Sequence, residues 1–211
     1  MSDLYTNISK AIIAGDMEGV VDLIKLALEQ DLGAGDILHQ GMIPAMEKVG
    51  ELFEAGEFYV PEMLVSARAM QRGLDNLRPL LQSSGVESAG NVVVGTVQGD
   101  LHDIGKNLVA LMLEGAGYEI IDLGTDVSPE AFLSAINELP TCLVALSALL
   151  TTTMPSMETI IKAIEEAGVR DHVKIMVGGA PVTQEYAEGI GADGFAADAS
   201  QAVKLAKSFG L

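Results

Sequence analysis

Along residues 2–82 apolar side chains recur at steps of three and four, whereas from residue 91 short apolar runs alternate with longer amphipathic stretches. The first rhythm predicts helices that bury one face; the second predicts buried strands separated by crossover helices. A helix near 3–14 ends at Gly15, and Asp16 caps the next, whose Val20, Leu23, Ile24, Ala27 and Leu28 share one face. Gly33-Ala34-Gly35 breaks that helix. A third runs from about Asp36 to Glu54 with a kink at Pro44 and stops at Gly56. Pro61 opens a fourth, rich in Met, Leu and Ala, to about Leu81. Four antiparallel helices with short loops make a small bundle. The segment 82–90, Gln-Ser-Ser-Gly-Val-Glu-Ser-Ala-Gly, is small and polar and predicts a flexible linker. The expected division is a helical bundle over 1–82, a linker over 83–90 and a second domain over 91–211.

In the second half the pattern predicts strands at 91–97, 118–124, 142–148, 174–178 and 194–197. Helices are expected near 105–116, 128–139, 155–168, 182–190 and 199–208. Five β–α repeats imply an α/β fold with a five-stranded parallel sheet covered by helices on both faces. Ligands of such sheets bind beyond the carboxyl ends of the strands. The residues there therefore matter most.

Composition narrows the function. Of 211 residues, 49% are hydrophobic and 20% charged, which describes an ordered globular chain. Twelve basic residues against 30 acidic ones leave a formal charge of −18, which argues against nucleic acid or an anionic membrane as partner. The excess is spread over both halves, with 6 Lys/Arg and 13 Asp/Glu in 1–82 and 6 and 17 in 83–211. Most of it is a solvated surface; a basic docking partner is the alternative. The single cysteine, Cys142, lies in an apolar run and predicts a buried, inert thiol in a reducing compartment. The start of the chain has no signal-peptide character, and no apolar stretch reaches the ~20 residues of a membrane span. A cytoplasmic location is the expectation.

The chemistry concentrates in Gly99-Asp100-Leu101-His102-Asp103-Ile104-Gly105, directly after the first strand. A histidine flanked by carboxylates on a glycine-bracketed loop is ill suited to core packing and well suited to ligating a metal held in a cofactor. Imidazole must present a free lone pair to do so. A carboxylate on its other nitrogen fixes the tautomer, and Asp100 is placed to supply it. A solvated loop histidine is the plain alternative. His39 and His172 read as solvated, and no zinc-type spacing joins them to Cys142.

Asp-x-His-x-x-Gly, followed by Ser147-Ala148-Leu149 and Gly178-Gly179, resembles the cobalamin-binding domain of methionine synthase and of the small corrinoid proteins of methyltransferase systems. The likeness extends to Phe53–Met63 in the bundle and so covers nearly the whole chain. It implies a Rossmann-like, flavodoxin-like cobalamin-binding domain behind a four-helix cap. In that family the corrinoid's own base leaves cobalt and a protein histidine replaces it, so His102 would be the lower axial ligand and Asp100 its partner. Thr153 matches the position of a serine that extends the relay in methionine synthase. Gly99, Leu101, Asp103, Ile104, Gly105, Ser147, Leu149, Thr151, Gly178, Gly179 and Ala199 would contact the cofactor, with Gly105, Ser147, Leu149, Thr151 and Ala199 at its displaced nucleotide tail. Phe53, Val60 and Met63 would shield the upper corrin face.

Each of these has an ordinary reading too. Leu149 fits a core, the threonines a helix-capping loop, the glycines tight turns, and the three cap residues a bundle interior. Ser147, in an apolar run, is expected to need a buried partner.

The resemblance implies a methyl carrier without a complete active site of its own. A substrate-specific methyltransferase would place a methyl on Co(I). A second, acting on a thiol or a tetrahydropterin, would remove it from methyl-Co(III), and a reductive activase would restore the reduced metal. Release of His102 in the reduced state would be accompanied by protonation of the Asp100–His102 pair, and the bundle would swing aside for each partner. Methylamine, methanol, a betaine and an aryl methyl ether all stay open as donors. Three rivals remain: a cobalamin-dependent mutase subunit, opposed by the 53–63 match; a cobalamin-sensing regulator, opposed by the charge; and a flavodoxin-like interaction module that binds no metal.

Overall fold

The computed structural model describes residues 2–84 and 88–210. They form two compact units: the N-terminal helices with Glu114–Gly117, and the remainder from Ala89 onward.

The first unit is helical throughout. Helix α1 is Ser2–Ile13 and α2 is Met17–Glu29. The Asp16 side chain caps α2 by accepting the Gly19 amide at 2.9 Å. After a single turn, α3 (Ala34–Asp36), the chain widens into a π-helical segment, Ile37–Met42, and continues as α4 (Ile43–Glu54). The segment expected as one helix over about 36–54 with a kink at Pro44 is thus helical throughout but takes π form over its first part. Pro44 has no amide to donate back into the preceding turn, and the Ile43 amide reaches the Leu38 carbonyl, five residues back.

Helix α5 is Val60–Ser84 and ends three residues beyond the expected Leu81, so the start of the expected linker is helical. Its centre, 85–87, lies outside the described residues. Ile8, Ile12, Val20, Ile24, Met42, Val49, Met70 and Leu77 are all 1% exposed or less and make the interior. Each such side chain contributes about 1.5–3 kcal/mol by leaving water. Met63 is buried among the α5 residues, Phe53 is half-buried and Val60 is exposed.

The second unit is the predicted parallel α/β fold. Its elements are β1 (Asn91–Thr96), α6 (Ile104–Gly115), β2 (Glu119–Asp122), α7 (Pro129–Ile136), β3 (Cys142–Ser147) and α8 (Pro155–Glu166). After a 3-10 turn at Arg170–His172 come β4 (Val173–Gly178), α9 (Gln184–Gly189), β5 (Gly194–Ala196) and α10 (Ala199–Phe209). The sheet order is β2-β1-β3-β4-β5, all parallel. Strand order reverses at β1, which opens a crevice between the ends of β1 and β3.

Val92–Val94, Cys142–Leu146 and Ile175–Val177 are buried on both faces, as their unbroken apolar runs require. Cys142 is 1% exposed, and burial pushes its thiol up to about 11, so it is protonated and unreactive. Among the described residues no helix is long and apolar enough to cross a membrane.

Candidate functional site

The crevice between β1 and β3 is closed by one carboxylate. Beyond β1 the chain turns through Gly99, whose φ of +88° favours glycine, and the Asp100 amide donates back to the Val97 carbonyl at 3.1 Å. This aims the Asp100 side chain under the loop, where it is 0% exposed. Its Oδ1 accepts the His102 amide at 3.1 Å and faces His102 Nδ1 at 2.7 Å. Its Oδ2 accepts the Leu149 and Leu150 amides at 2.8 and 3.3 Å and the Thr153 hydroxyl at 2.7 Å. One side chain thus joins the β1 loop to the β3 loop, 49 to 53 residues away.

Burial pushes the Asp100 carboxyl up. The Thr153 hydroxyl, the Leu149 amide and the ring and amide of His102 outweigh it and hold the carboxyl well below the usual carboxylate range. An ionised Asp100 can only accept, so Nδ1 of His102 must carry the hydrogen. The lone pair is then left on Nε2, which has no partner among the described residues. The ring is half exposed, with 51% of the side chain accessible.

The two loops that meet at this imidazole expose four large apolar side chains. Leu101 and Ile104 are 73% and 76% exposed, and Leu149 and Leu150 are both 42% exposed. Large apolar side chains gathered at such exposure mark a place where something flat or greasy docks. Leu149 therefore stands outside the core, against its ordinary reading.

The strand register aligns Thr96, Ser147, Gly178 and Ala196 across the carboxyl edge of the sheet, a row of small residues. Ser147 is half-buried at that edge rather than enclosed, so the expected buried partner is not required, and none is found among the described residues.

The glycines divide into two kinds. At Gly179, with φ of +127°, a Cβ would collide with the Ala148 carbonyl, and at Gly178 it would come within 2.9 Å of the Ala196 carbonyl oxygen. The fold alone demands both. Gly105 is different. It lies in the first turn of α6, and a Cβ there would meet nothing within 4 Å. The fold itself does not require a glycine at this position.

The other predicted residues lie on the same rim. Asp103 accepts the Asn107 amide at 2.7 Å and its side-chain amide at 3.1 Å, tying down the start of α6. Thr151 is exposed in the loop after β3, and Ala199 is the buried first residue of α10. Several supporting residues escape a reading of the sequence. The Thr96 hydroxyl donates to the His102 carbonyl at 2.9 Å. The buried Lys106 is held by both Asp122 oxygens at 2.7 and 2.6 Å and by Asn107 Oδ1 at 2.7 Å. Only Thr96, a polar residue closing an apolar strand, carries a local signal.

Among the described residues no three His, Cys, Asp or Glu side chains come together as a metal cage. A single outward imidazole suits a metal whose remaining ligands belong to a macrocycle. The open space at Gly105, the apolar collar and the lone nitrogen fit a corrinoid together.

Comparison with known proteins points the same way. A family described as "B12 binding domain" matches residues 90–204, and a second of the same description matches 4–78. A corrinoid protein of Desulfitobacterium hafniense is 42% identical over 206 residues, covering 96% of this chain and 95% of the relative. Dimethylamine corrinoid protein 1 of Methanosarcina acetivorans is 39% identical, covering 97% of this chain and 96% of that one. Among solved structures, the methanol:cobalamin methyltransferase complex MtaBC of Methanosarcina barkeri contains a chain with a TM-score of 0.88. It is 30% identical, with coverage of 99% of this chain and 80% of that one. A cobalamin-binding protein of Desulfitobacterium hafniense matches with a TM-score of 0.81 at 29% identity over 97% and 98% of the two chains.

Proposed function

Because the chain belongs to the corrinoid proteins of methyltransferase systems, and so binds a corrinoid, we propose that it carries a methyl group between two partner methyltransferases with His102 Nε2 on the cobalt. The observation that carries the ligand assignment is the saturation of Asp100, which leaves His102 one available tautomer and one outward lone pair. When bound, the corrinoid supplies a cobalt centre that takes up and gives up a methyl group.

The chain's own residues position and tune. Asp100 keeps the proton on Nδ1 and makes the imidazole a stronger donor. Thr153 holds the far oxygen of Asp100, tying the β3 loop to the ligand loop, and the same hydroxyl lies 2.9 Å from the Leu150 carbonyl. With Nδ1 engaged by Asp100, Nε2 is the ring nitrogen that would hold the metal. Leu101, Ile104, Leu149 and Leu150 are exposed and would be covered, together with the ring, by a bound corrinoid, which would then exclude water from the ligand. The small residues Ser147 and Gly178 at the carboxyl edge of the sheet, with the open space at Gly105, would accommodate the nucleotide tail.

The donor partner is a methyltransferase acting on a small methylated compound, as the methylamine and methanol relatives suggest, and the acceptor partner uses a thiol or a tetrahydropterin. A reductive activase completes the set. Reconstitution tests this. The corrinoid-loaded, reduced protein is mixed with a methyltransferase and its carbon-14-labelled donor, in separate arms for methylamine, methanol, betaine and an aryl methyl ether. At least one arm is expected to leave about one labelled methyl per protein, which a thiol- or pterin-dependent transferase then removes. Labelling in none of the arms overturns the carrier role.

Gly105 yields a second expectation. Gly105→Ala is expected to leave the melting temperature unchanged or to raise stability by up to about 1 kcal/mol, because the new methyl meets nothing and helix propensity improves. Corrinoid affinity, measured by titration of the apoprotein, should fall at the same time. A variant no more weakly bound than the parent would return Gly105 to a purely structural role.

A further inference from the structure

The loop after β2 contributes no residue to the expected corrinoid contacts, yet it grips the ligand loop from behind. Asp126 Oδ1 accepts the Gly99 amide at 2.7 Å, and the Asp126 amide donates to the Asp100 carbonyl at 3.0 Å. The two bonds bracket the Gly99–Asp100 peptide. Asp126 achieves this in a left-handed conformation, φ of 55°, which is uncommon outside glycine and tolerated best by Asp and Asn. The same loop is itself fastened to β1. The Thr96 amide donates to the Gly124 carbonyl at 2.9 Å, and the Val127 amide donates to the Thr96 carbonyl at 3.0 Å. Asp122, at the loop's start, holds the buried Lys106 of α6. The ligand loop is thus clamped at both ends, by Asp126 before Asp100 and by the Lys106–Asp122 pair after His102.

We propose that Asp126 is a positioning residue for the cobalt ligand: by fixing the Gly99–Asp100 peptide it sets where the Asp100 carboxylate, and through it the His102 ring, comes to rest. The inference rests on the preceding assignment of His102 as ligand. An exposed side chain in a strained backbone conformation, spending its carboxylate on one loop amide, has no packing role that would explain it.

Three substitutions separate the possibilities. Asp126→Gly keeps the left-handed backbone and removes the acceptor. Asp126→Asn keeps both the backbone preference and an acceptor oxygen while removing the charge. Asp126→Ala removes the acceptor and strains the backbone. Each protein, labelled with nitrogen-15 in histidine, is loaded with cob(II)alamin, and the fraction with a protein nitrogen on cobalt is read from the superhyperfine splitting in electron paramagnetic resonance. Asp126→Gly and Asp126→Ala are expected to shift the ligated-to-unligated ratio by about tenfold, the weight of one charge-assisted hydrogen bond, with Asp126→Asn near the parent. Amide hydrogen exchange at Gly99 in the apoprotein is the second measurement, since it reads the clamp without cofactor. It should accelerate in Asp126→Gly and not in Asp126→Asn.

A parent protein with no histidine nitrogen on cobalt defeats the ligand assignment. A parent with that nitrogen and an Asp126→Gly variant whose ratio equals it defeats this inference alone. Gly99 exchange unchanged in Asp126→Gly also defeats it. A loss in Asp126→Asn equal to that in Asp126→Gly would assign the effect to charge and overturn the positioning role.

Discussion

His102→Ala is expected to abolish protein–nitrogen coordination of the cobalt while leaving the apoprotein folded. The imidazole is half exposed, and Asp100 keeps its bonds to Leu149, Leu150, Thr153 and the residue-102 amide after the ring is gone. Loss of one such partner costs about 1 kcal/mol, a shift of a few degrees in melting temperature. The spectroscopic change should be complete. With nitrogen-15 histidine in the parent, each cobalt line of the cob(II)alamin form splits into a doublet. In the variant no nitrogen-15 coupling remains, and coupling to nitrogen-14 would report the corrinoid's own base instead. Affinity for the corrinoid should fall by about 10–100-fold, the range seen when a metal site loses a fixing group. A nitrogen-15 doublet persisting in His102→Ala would end the assignment.

Asp100→Ala is expected to be far more damaging to the fold. It strands the Leu149, Leu150 and His102 amides and leaves the Thr153 hydroxyl only the Leu150 carbonyl, in a place where the carboxylate itself is wholly buried. Removing one partner of a buried charged network costs about 3–5 kcal/mol, and denaturant unfolding would measure it. The effect has a defined pH dependence. The folded carboxyl is held below its unfolded value of about 4, so its contribution is full above that pH and is lost as pH falls toward the folded value. The stability gap between the parent and Asp100→Ala should therefore narrow as pH falls below about 4. A gap independent of pH down to the acid limit would mean that Asp100 is not ionised in the folded protein.

The two variants separate the residue that touches the cofactor from the one that holds it. Asp100 and His102 are two apart in the chain, and their pairing was legible from that spacing alone. Thr153 was legible only through resemblance, because nothing local in Thr151-Thr152-Thr153 distinguishes the third hydroxyl from the first. In the structure the difference is plain. Thr153 is 7% exposed and bonded to Asp100, whereas Thr151 is exposed. Leu149 and Leu150 look like core beside Leu146, yet they lie past the end of β3 and face outward. Asp126 gave no signal at all. It is 27 residues from the amide it accepts, and an aspartate after a strand is ordinary loop chemistry.

Element boundaries were readable where side-chain periodicity and punctuation agree. The alternation of apolar runs and amphipathic stretches determined five parallel β–α units to within a few residues, since a strand buried on both faces must be apolar throughout and a covering helix on one side only. Pro44 announced a disturbance in its helix, but the form it took, a π-helical turn at Ile37–Met42, depends on which carbonyls the surrounding bundle leaves for the amides to find. The helix reaching Ser84 reflects a similar limit, because serine is permissive rather than decisive in a last turn.

Sequence by itself determined the two kinds of architecture, the loop that bears the imidazole and its carboxylate neighbour, because those follow from periods of a few residues and from contacts within one turn. Only the tertiary structure decided that one buried carboxylate takes five donors from two loops, which hydroxyl it chooses, and what grips it from behind. Those partners stand side by side because parallel strands carry distant segments to a common edge, and no short-range pattern encodes which residues will meet there.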